Sequence, residues 1–237
     1  MRTTAIFNLK GGVAKTITTA AMADILAIDH KKRVLVIDAD AQGNLSQYFG
    51  VEPQEGCSTL DLLRGTHEAV YSDWVTPARP DADIDIIPSD MTLLYADVDV
   101  YEGRSTSRHS MEDLRAAIEE DAQSLDEDVR AAAYDYMIID CPPSFSAAAY
   151  AALEASDDIV IPIRLDAFST SGMADLMIQI NNVKRVNPRL KVAGVLVTQY
   201  QDTREEREAL AYLRKYKLPV WRRVIRRSGR VSAATYA

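Results

Sequence analysis

The feature that most constrains this chain lies near its start: Lys10-Gly11-Gly12-Val13-Ala14-Lys15-Thr16, set between an apolar run and a segment of helical period. Two glycines let successive backbone N–H groups curl toward one point, and a lysine and a hydroxyl follow where the helix would begin. That combination suits phosphate. The helix N-terminus supplies partial positive charge, Lys15 a full one, and Thr16 an oxygen ligand for Mg²⁺. The candidate phosphate-binding residues are therefore Gly11, Gly12, Val13, Ala14, Lys15, Thr16 and Ile17. The usual pattern has glycine just before the lysine. Alanine at position 14 is expected in a right-handed conformation, tightening the fit without abolishing binding. A glycine-rich turn with no ligand would not need strand, lysine, threonine and helix in this register.

Apolar, β-branched runs at Ala5–Leu9, Arg33–Ile37, Ile84–Ile87, Tyr136–Ile139, Ile159–Ile163 and Val192–Val197 read as strands. Between them, Lys15–Ile28, Met111–Glu120, Phe145–Glu154, Ser171–Val186 and Arg204–Tyr216 read as helices, and Pro188 and Pro219 follow the last two as stop signals. Several strands are apolar on consecutive positions, as parallel strands covered on both faces are. The alternation predicts an α/β fold, a doubly wound, mostly parallel sheet flanked by helices, as one domain over residues 1–237. Ligands then bind beyond the carboxyl ends of the strands. The acidic, polar stretch Asp97–Arg130 reads as a surface excursion carrying a helix.

Two further strands end in carboxylates. Arg33–Ile37 runs into Asp38-Ala39-Asp40-Ala41-Gln42-Gly43-Asn44, bringing Asp38 and Asp40 to the ligand edge of the sheet. Tyr136–Ile139 runs into Asp140-Cys141-Pro142-Pro143-Ser144, an apolar strand closed by an acid, as in the Mg²⁺-holding strands of phosphoryl-transfer proteins. Strand-ending aspartates also cap helices, and that alternative stays open for Asp38 and Asp40. Cys141 reads as a buried strand-end residue, and Pro142-Pro143 as a rigid loop beside the terminal phosphate.

Together these segments resemble the ParA/MinD family of deviant Walker A ATPases. Lys10–Thr16 is similar to the family's KGGxxK[ST] loop and Asp38–Asn44 to its DxDPQGN segment, with Ala41 in place of proline. Asp140–Pro143 is similar to its Walker B strand end. Ile159–Pro162, Val195–Thr198 with Asp202-Thr203-Arg204, and Val224–Ala234 are similar to later family segments, so the resemblance spans nearly the whole chain. It implies an ATPase using ATP and Mg²⁺. Lys15 would hold the β/γ-phosphates, Thr16 and Asp140 the Mg²⁺ with help from Asp38, and Asp40 the attacking water. Lys10 would reach across a homodimer interface to the phosphates of the other subunit. The resemblance further implies a ParA-type partition protein that forms a nucleotide-sandwich dimer and is stimulated by a ParB-like partner. Non-specific double-stranded DNA binding would fall to Arg204, Arg226, Arg227 and Arg230. The implied location is cytoplasmic, nucleoid-associated when ATP is bound, with no membrane expected. With the loop beginning at residue 10, no N-terminal helix-turn-helix extension and no operator binding are expected. The family's closing glycine-proline loop, strand and helix have no counterpart before Ala237. Either the C-terminus is short or the sequence stops before the protein's end, which leaves the adenine contacts and part of the DNA surface open.

A formal net charge of −8 argues against nucleic-acid binding, but its distribution does not. Tyr212–Ala237 holds eight of the 27 Lys/Arg and no acid, leaving 19 basic against 35 acidic residues elsewhere. That asymmetry suggests a local anion-seeking surface on an acidic body. The alternative is a solvated basic face, or arginines paired to that body. Other classes fit less well. No apolar stretch approaches the ~20 residues that span a bilayer, and the C-terminal amphipathic helix of a MinD-like membrane-associated ATPase is not evident. Cys57 and Cys141 do not form the paired ligands of a metallocluster ATPase. The eleven tyrosines are scattered rather than clustered at a terminus as in a bacterial tyrosine kinase. A MinD-like positioning ATPase and a nucleotide-switched scaffold with little hydrolysis remain as alternatives, the latter because of Ala14, Ala41 and the short C-terminus.

Overall fold

The computed structural model describes residues 1–65, 74–79, 81–104, 110–165, 167–215 and 218–229. The strands are β1 (Arg2–Ile6), β2 (Val34–Asp38), β3 (Thr76–Arg79), β4 (Ile84–Ile87), β5 (Tyr136–Asp140), β6 (Asp158–Ile163) and β7 (Lys191–Val197). They form one sheet in the order β3-β4-β2-β5-β1-β6-β7. Every neighbouring pair is parallel except β3–β4. The helices are α1 (Lys15–Asp24), α2 (Asn44–Phe49), α3 (Thr59–Arg64), α4 (Tyr95–Tyr101), α5 (Ser110–Asp121), α6 (Glu127–Ala132), α7 (Ala147–Ala155), α8 (Ala167–Val183) and α9 (Arg204–Leu213).

Five of the six apolar runs coincide with strands, while the first strand lies three residues before the expected Ala5–Leu9; alternation within them explains why they are continuously apolar. Successive residues serve opposite faces. Ala5, Phe7, Leu35, Ile37, Met137 and Ile139 pack with Leu62, Met111, Ala152 and Leu176 of the helices on one face. Ile6, Val34, Val36 and Ile138 pack with Ala20, Ala23 and Leu45 of α1 and α2 on the other. The seventh strand, β3, has the sequence Thr-Pro-Ala-Arg and no apolar run to announce it. Its edge position tolerates Pro77, which has no N–H to give a central ladder.

Two expectations are corrected. Asp97–Arg130 is not a surface excursion throughout, because Met111, Leu114 and Ile118 of α5 are 0%, 2% and 0% exposed and belong to the main core. Three apolar residues at i, i+3 and i+7 suffice to dock a helix that is acidic on its other side; only α6 lacks any buried residue. The helix after the phosphate loop keeps α geometry only to Asp24. Its last turn, Ile25–Asp29, widens into a π-helix.

Beyond α9 the chain returns along the free side of β7. Val195 N–H donates to the Pro219 carbonyl (3.0 Å), Trp221 N–H to Val195 (3.0 Å) and Ile225 N–H to Val197 (2.8 Å). Gly194 permits this approach: a Cβ there would sit 1.8 Å from the Trp221 indole Nε1. The basic segment around Arg226 is thereby hung on the sheet edge, which it covers.

Candidate nucleotide site

Parallel register brings the three motifs together. Asp140 at the end of β5 pairs with Ile6 of β1 on one side and with Asp38 of β2 on the other. The loop leaving β1 and both strand-ending acids thus share the carboxyl edge of the sheet, where ligands bind in folds of this kind.

The loop is held from behind. The Asn8 amide donates to the Pro162 carbonyl (2.7 Å), and its Oδ1 accepts from Lys10 N–H (3.0 Å). Thr198 Oγ1 donates to the Val13 carbonyl (2.9 Å) and Gln199 Nε2 to the Gly12 carbonyl (2.8 Å). With these carbonyls turned backward, loop N–H groups are left to face an anion. Lys15 opens α1 and is only 8% exposed; its Nζ donates to the Lys10 carbonyl (3.4 Å). Burial lowers its pKa, opposed chiefly by the nearby Asp140 carboxylate and more weakly by Asp40.

Ala14 departs from expectation. Its φ of 68° and ψ of 38° are left-handed, not right-handed, because the chain must swing from the loop into α1 at this residue. Alanine there carries about 1–2 kcal/mol of backbone strain that glycine would not. Ala14→Gly should therefore raise folding stability by about 1 kcal/mol, read from the urea midpoint at unchanged m-value. A lower midpoint would contradict the left-handed assignment.

The segment after β2 is pinned through Asp38, which is fully buried. Its Oδ2 accepts from Ser46 N–H (2.8 Å) and Oγ (2.7 Å), and its Oδ1 from Asp40 N–H (3.2 Å). Asp38 thus takes the helix-anchoring role open to a strand-ending aspartate. Half-buried Asp40 accepts from Gln42 N–H at 3.1 Å. Gly43 has φ 62°, and a Cβ on it would lie 2.7 Å from the Ser89 carbonyl, so both conformation and space require glycine. Asp40 and Gln42 border a cleft of about 210 Å³ that Leu94, Asp97, Pro142 and Pro143 also line.

Asp140, 1% exposed, is bonded by the Thr16 hydroxyl and, at 3.4 Å, by Thr19 Oγ1. Burial, reinforced by Asp38, pushes its carboxyl up to about 8, against the Thr16 bond and Lys15. Burial likewise raises Asp38 to about 6, against hydrogen bonds from Ser46 and Asp40. Cys141 is fully buried, and burial pushes its thiol well up, as befits an inert strand-end residue. A hydroxyl and a carboxylate in contact are hard oxygen donors, a fit for Mg²⁺, which takes one or two protein oxygens and completes its shell with water and phosphate. Among the described residues no group of three or more His, Cys, Asp or Glu could hold a metal by itself.

Of the basic candidates, Arg226 and Arg227 lie apart from this site, beside β7. Exposed Arg204 pairs with Glu208 on α9. Arg226 and Arg227 are exposed and make no ion pair among the described residues, whereas Arg230 lies outside those residues. Asn8, Ser46, Thr198 and Gln199 stand out only in the fold. For Asn8 and Thr198 the available sequence signal was a polar residue ending an apolar strand.

A family model described as an AAA domain matches residues 1–192. The chain is 35% identical, over 239 aligned positions, to the chromosome partitioning protein ParA of Caulobacter vibrioides, covering 99% of this chain and 84% of that protein. The chain belongs to the ParA/Soj family of P-loop ATPases. It is also 33% identical to the sporulation initiation inhibitor protein Soj of Bacillus subtilis, over 97% of this chain and 86% of that one. Among solved structures, cobyrinic acid a,c-diamide synthase from Mycobacterium smegmatis with bound ADP and magnesium superposes with a TM-score of 0.78 at 30% identity. It covers 100% of this chain and 90% of that one. Apo McdA of Cyanothece, at 22% identity and a TM-score of 0.80 over 99% and 89% of the two chains, shares the fold. No helix among the described residues of this ParA/Soj member is long and apolar enough to cross a membrane.

Proposed function

We propose that this ParA/Soj protein is a DNA-partition ATPase. It binds Mg-ATP, closes into a nucleotide-sandwich homodimer and binds duplex DNA without sequence preference. Hydrolysis, stimulated by a ParB-like partner, releases it from the nucleoid into the cytoplasm. The observation that carries this reading is the contact of Thr16 with Asp140 beside buried Lys15, at the end of a loop whose carbonyls are held backward. A relative with the same fold was solved with ADP and magnesium, and the named relatives are partition and sporulation-control proteins.

In this reading Gly11 to Ile17 line the phosphates with backbone N–H groups, and Lys15 sets a desolvated positive charge against them. Thr16 and Asp140 hold Mg²⁺, with Asp38 acting through its charge and through its grip on the Asp40 segment. Bound Mg²⁺ supplies charge neutralisation on the phosphate oxygens. Asp40 accepts a hydrogen bond from the attacking water and orients it at the mouth of the cleft. The raised pKa values of Asp140 and Asp38 belong to the protein without metal; a cation beside them favours their ionised forms.

Lys10 sits at the loop's outer end, half-buried, with its backbone tied to Asn8. Its side chain is proposed to serve the partner's phosphates. Lys10→Ala should leave ATP affinity within about threefold of wild type, as for loss of a charge partly screened by solvent, yet remove the ATP-dependent doubling of mass in light scattering. Unchanged doubling would refute the trans role.

The DNA surface is assigned to Arg204, Arg226, Arg227 and Arg230. Changing Arg226 and Arg227 together to alanine should weaken random-duplex binding and lower the slope of log K against log[salt] by about one per lost phosphate contact. An unaltered slope would make them solvated surface.

A further inference from the structure

The loop after β7 joins the two sites that the proposed function requires to communicate, and its role as a link rests on that function. Thr198 and Gln199 turn toward the phosphate loop, bonding the Val13 and Gly12 carbonyls. The next residue turns the other way. Tyr200 N–H donates to the Ile225 carbonyl (3.0 Å), and the Tyr200 carbonyl accepts from Arg227 N–H (3.0 Å). The Arg227 guanidinium reaches Gln201 Oε1 (3.4 Å), and the Tyr200 hydroxyl bonds Asp202, which pairs with Arg207. Within three consecutive residues the chain passes from the glycines of the loop to the arginines of the basic edge.

This link has little slack. Gln199 (φ 54°) and Asp202 (φ 63°) are both left-handed without being glycine, a conformation that persists where surrounding bonds over-determine it. The bond from Gln199 is also placed to sense the loop. The peptide unit is rigid and planar, so the Gly12 carbonyl and the Val13 N–H turn together. When that N–H swings toward a phosphate, the carbonyl on the other side of the plane swings against Gln199.

We propose that Gln199 is a positioning residue that reads the orientation of the Gly12–Val13 peptide and passes it through Tyr200 to Ile225–Arg227, so that nucleotide occupancy sets the phosphate affinity of the basic edge. Linkage makes the effect reciprocal: duplex DNA raises ATP affinity by the same factor by which ATP raises DNA affinity.

The test combines amide hydrogen exchange with DNA binding in full-length wild type, Gln199→Glu (same shape, donor lost) and Gln199→Lys (donor kept). In wild type, ATP should change exchange both in the phosphate loop and in peptides covering Tyr200, Ile225 and Arg227. In Gln199→Glu the first change should remain and the second vanish, and the ratio of random-duplex affinities with ATP and with ADP should fall toward one. Gln199→Lys should restore both. Taking a ratio within each variant cancels the added charge. The proposal is overturned if Gln199→Glu keeps the distal change, if it loses the loop change as well, or if wild type shows no distal change. Wild type that binds no DNA in any nucleotide state, yet shows the Gln199-dependent distal change, overturns the DNA reading while the linkage stands.

Discussion

Lys15→Ala is expected to lose ATP binding altogether at micromolar nucleotide. The side chain is 8% exposed, and its ammonium lies among Asp140, Asp40 and the loop carbonyls. A buried charge that pairs with a ligand is worth about 2–5 kcal/mol in binding, roughly 30- to several thousand-fold. The fold should survive, because Asp140 already favours its neutral form through burial and can keep its proton once Lys15 is gone. Titration calorimetry with Mg-ATP reads the affinity, and a thermal melt without nucleotide reads the fold. Micromolar affinity retained in the variant would remove this loop from the phosphate site.

Asp40→Asn should separate binding from chemistry. The amide oxygen can still accept from Gln42 N–H, so the segment keeps its shape, but the carboxylate proposed to orient the attacking water is lost. Groups in this role contribute about 10²–10⁴-fold. Single-turnover phosphate release from bound ATP should therefore fall by about 100-fold or more while ATP affinity stays near wild type. A rate within twofold of wild type would leave Asp40 a loop-shaping residue only, the capping role its bond to Gln42 also allows.

Much of the fold was legible because parallel sheets write themselves plainly. Five apolar runs became strands in place and the first shifted by three residues to Arg2–Ile6, and the three segments ending in Lys15, Asp38 and Asp140 converged because β1, β5 and β2 are neighbours in register. Other features were hidden for physical reasons. β3 is an edge strand with a proline and only one buried residue, so it needs no apolar run. The core role of α5 rests on Met111, Leu114 and Ile118 within an acidic composition. Ala14 defeats a reading by residue type, because alanine does not report the turn into α1, which demands a left-handed residue whatever its cost. Ser46 and Gln199 act through the backbone and carboxylate groups they hold, and nothing in their local sequence marks such partners.

The proposed ATP-gated hold on DNA is tested most directly by the affinity of the wild-type protein for random-sequence duplex with Mg-ATP, with Mg-ADP and without nucleotide, at matched salt. Tight, salt-sensitive binding with ATP and weak binding in the other two states is the expected result. Equal affinity in all three, or none in any, would contradict it.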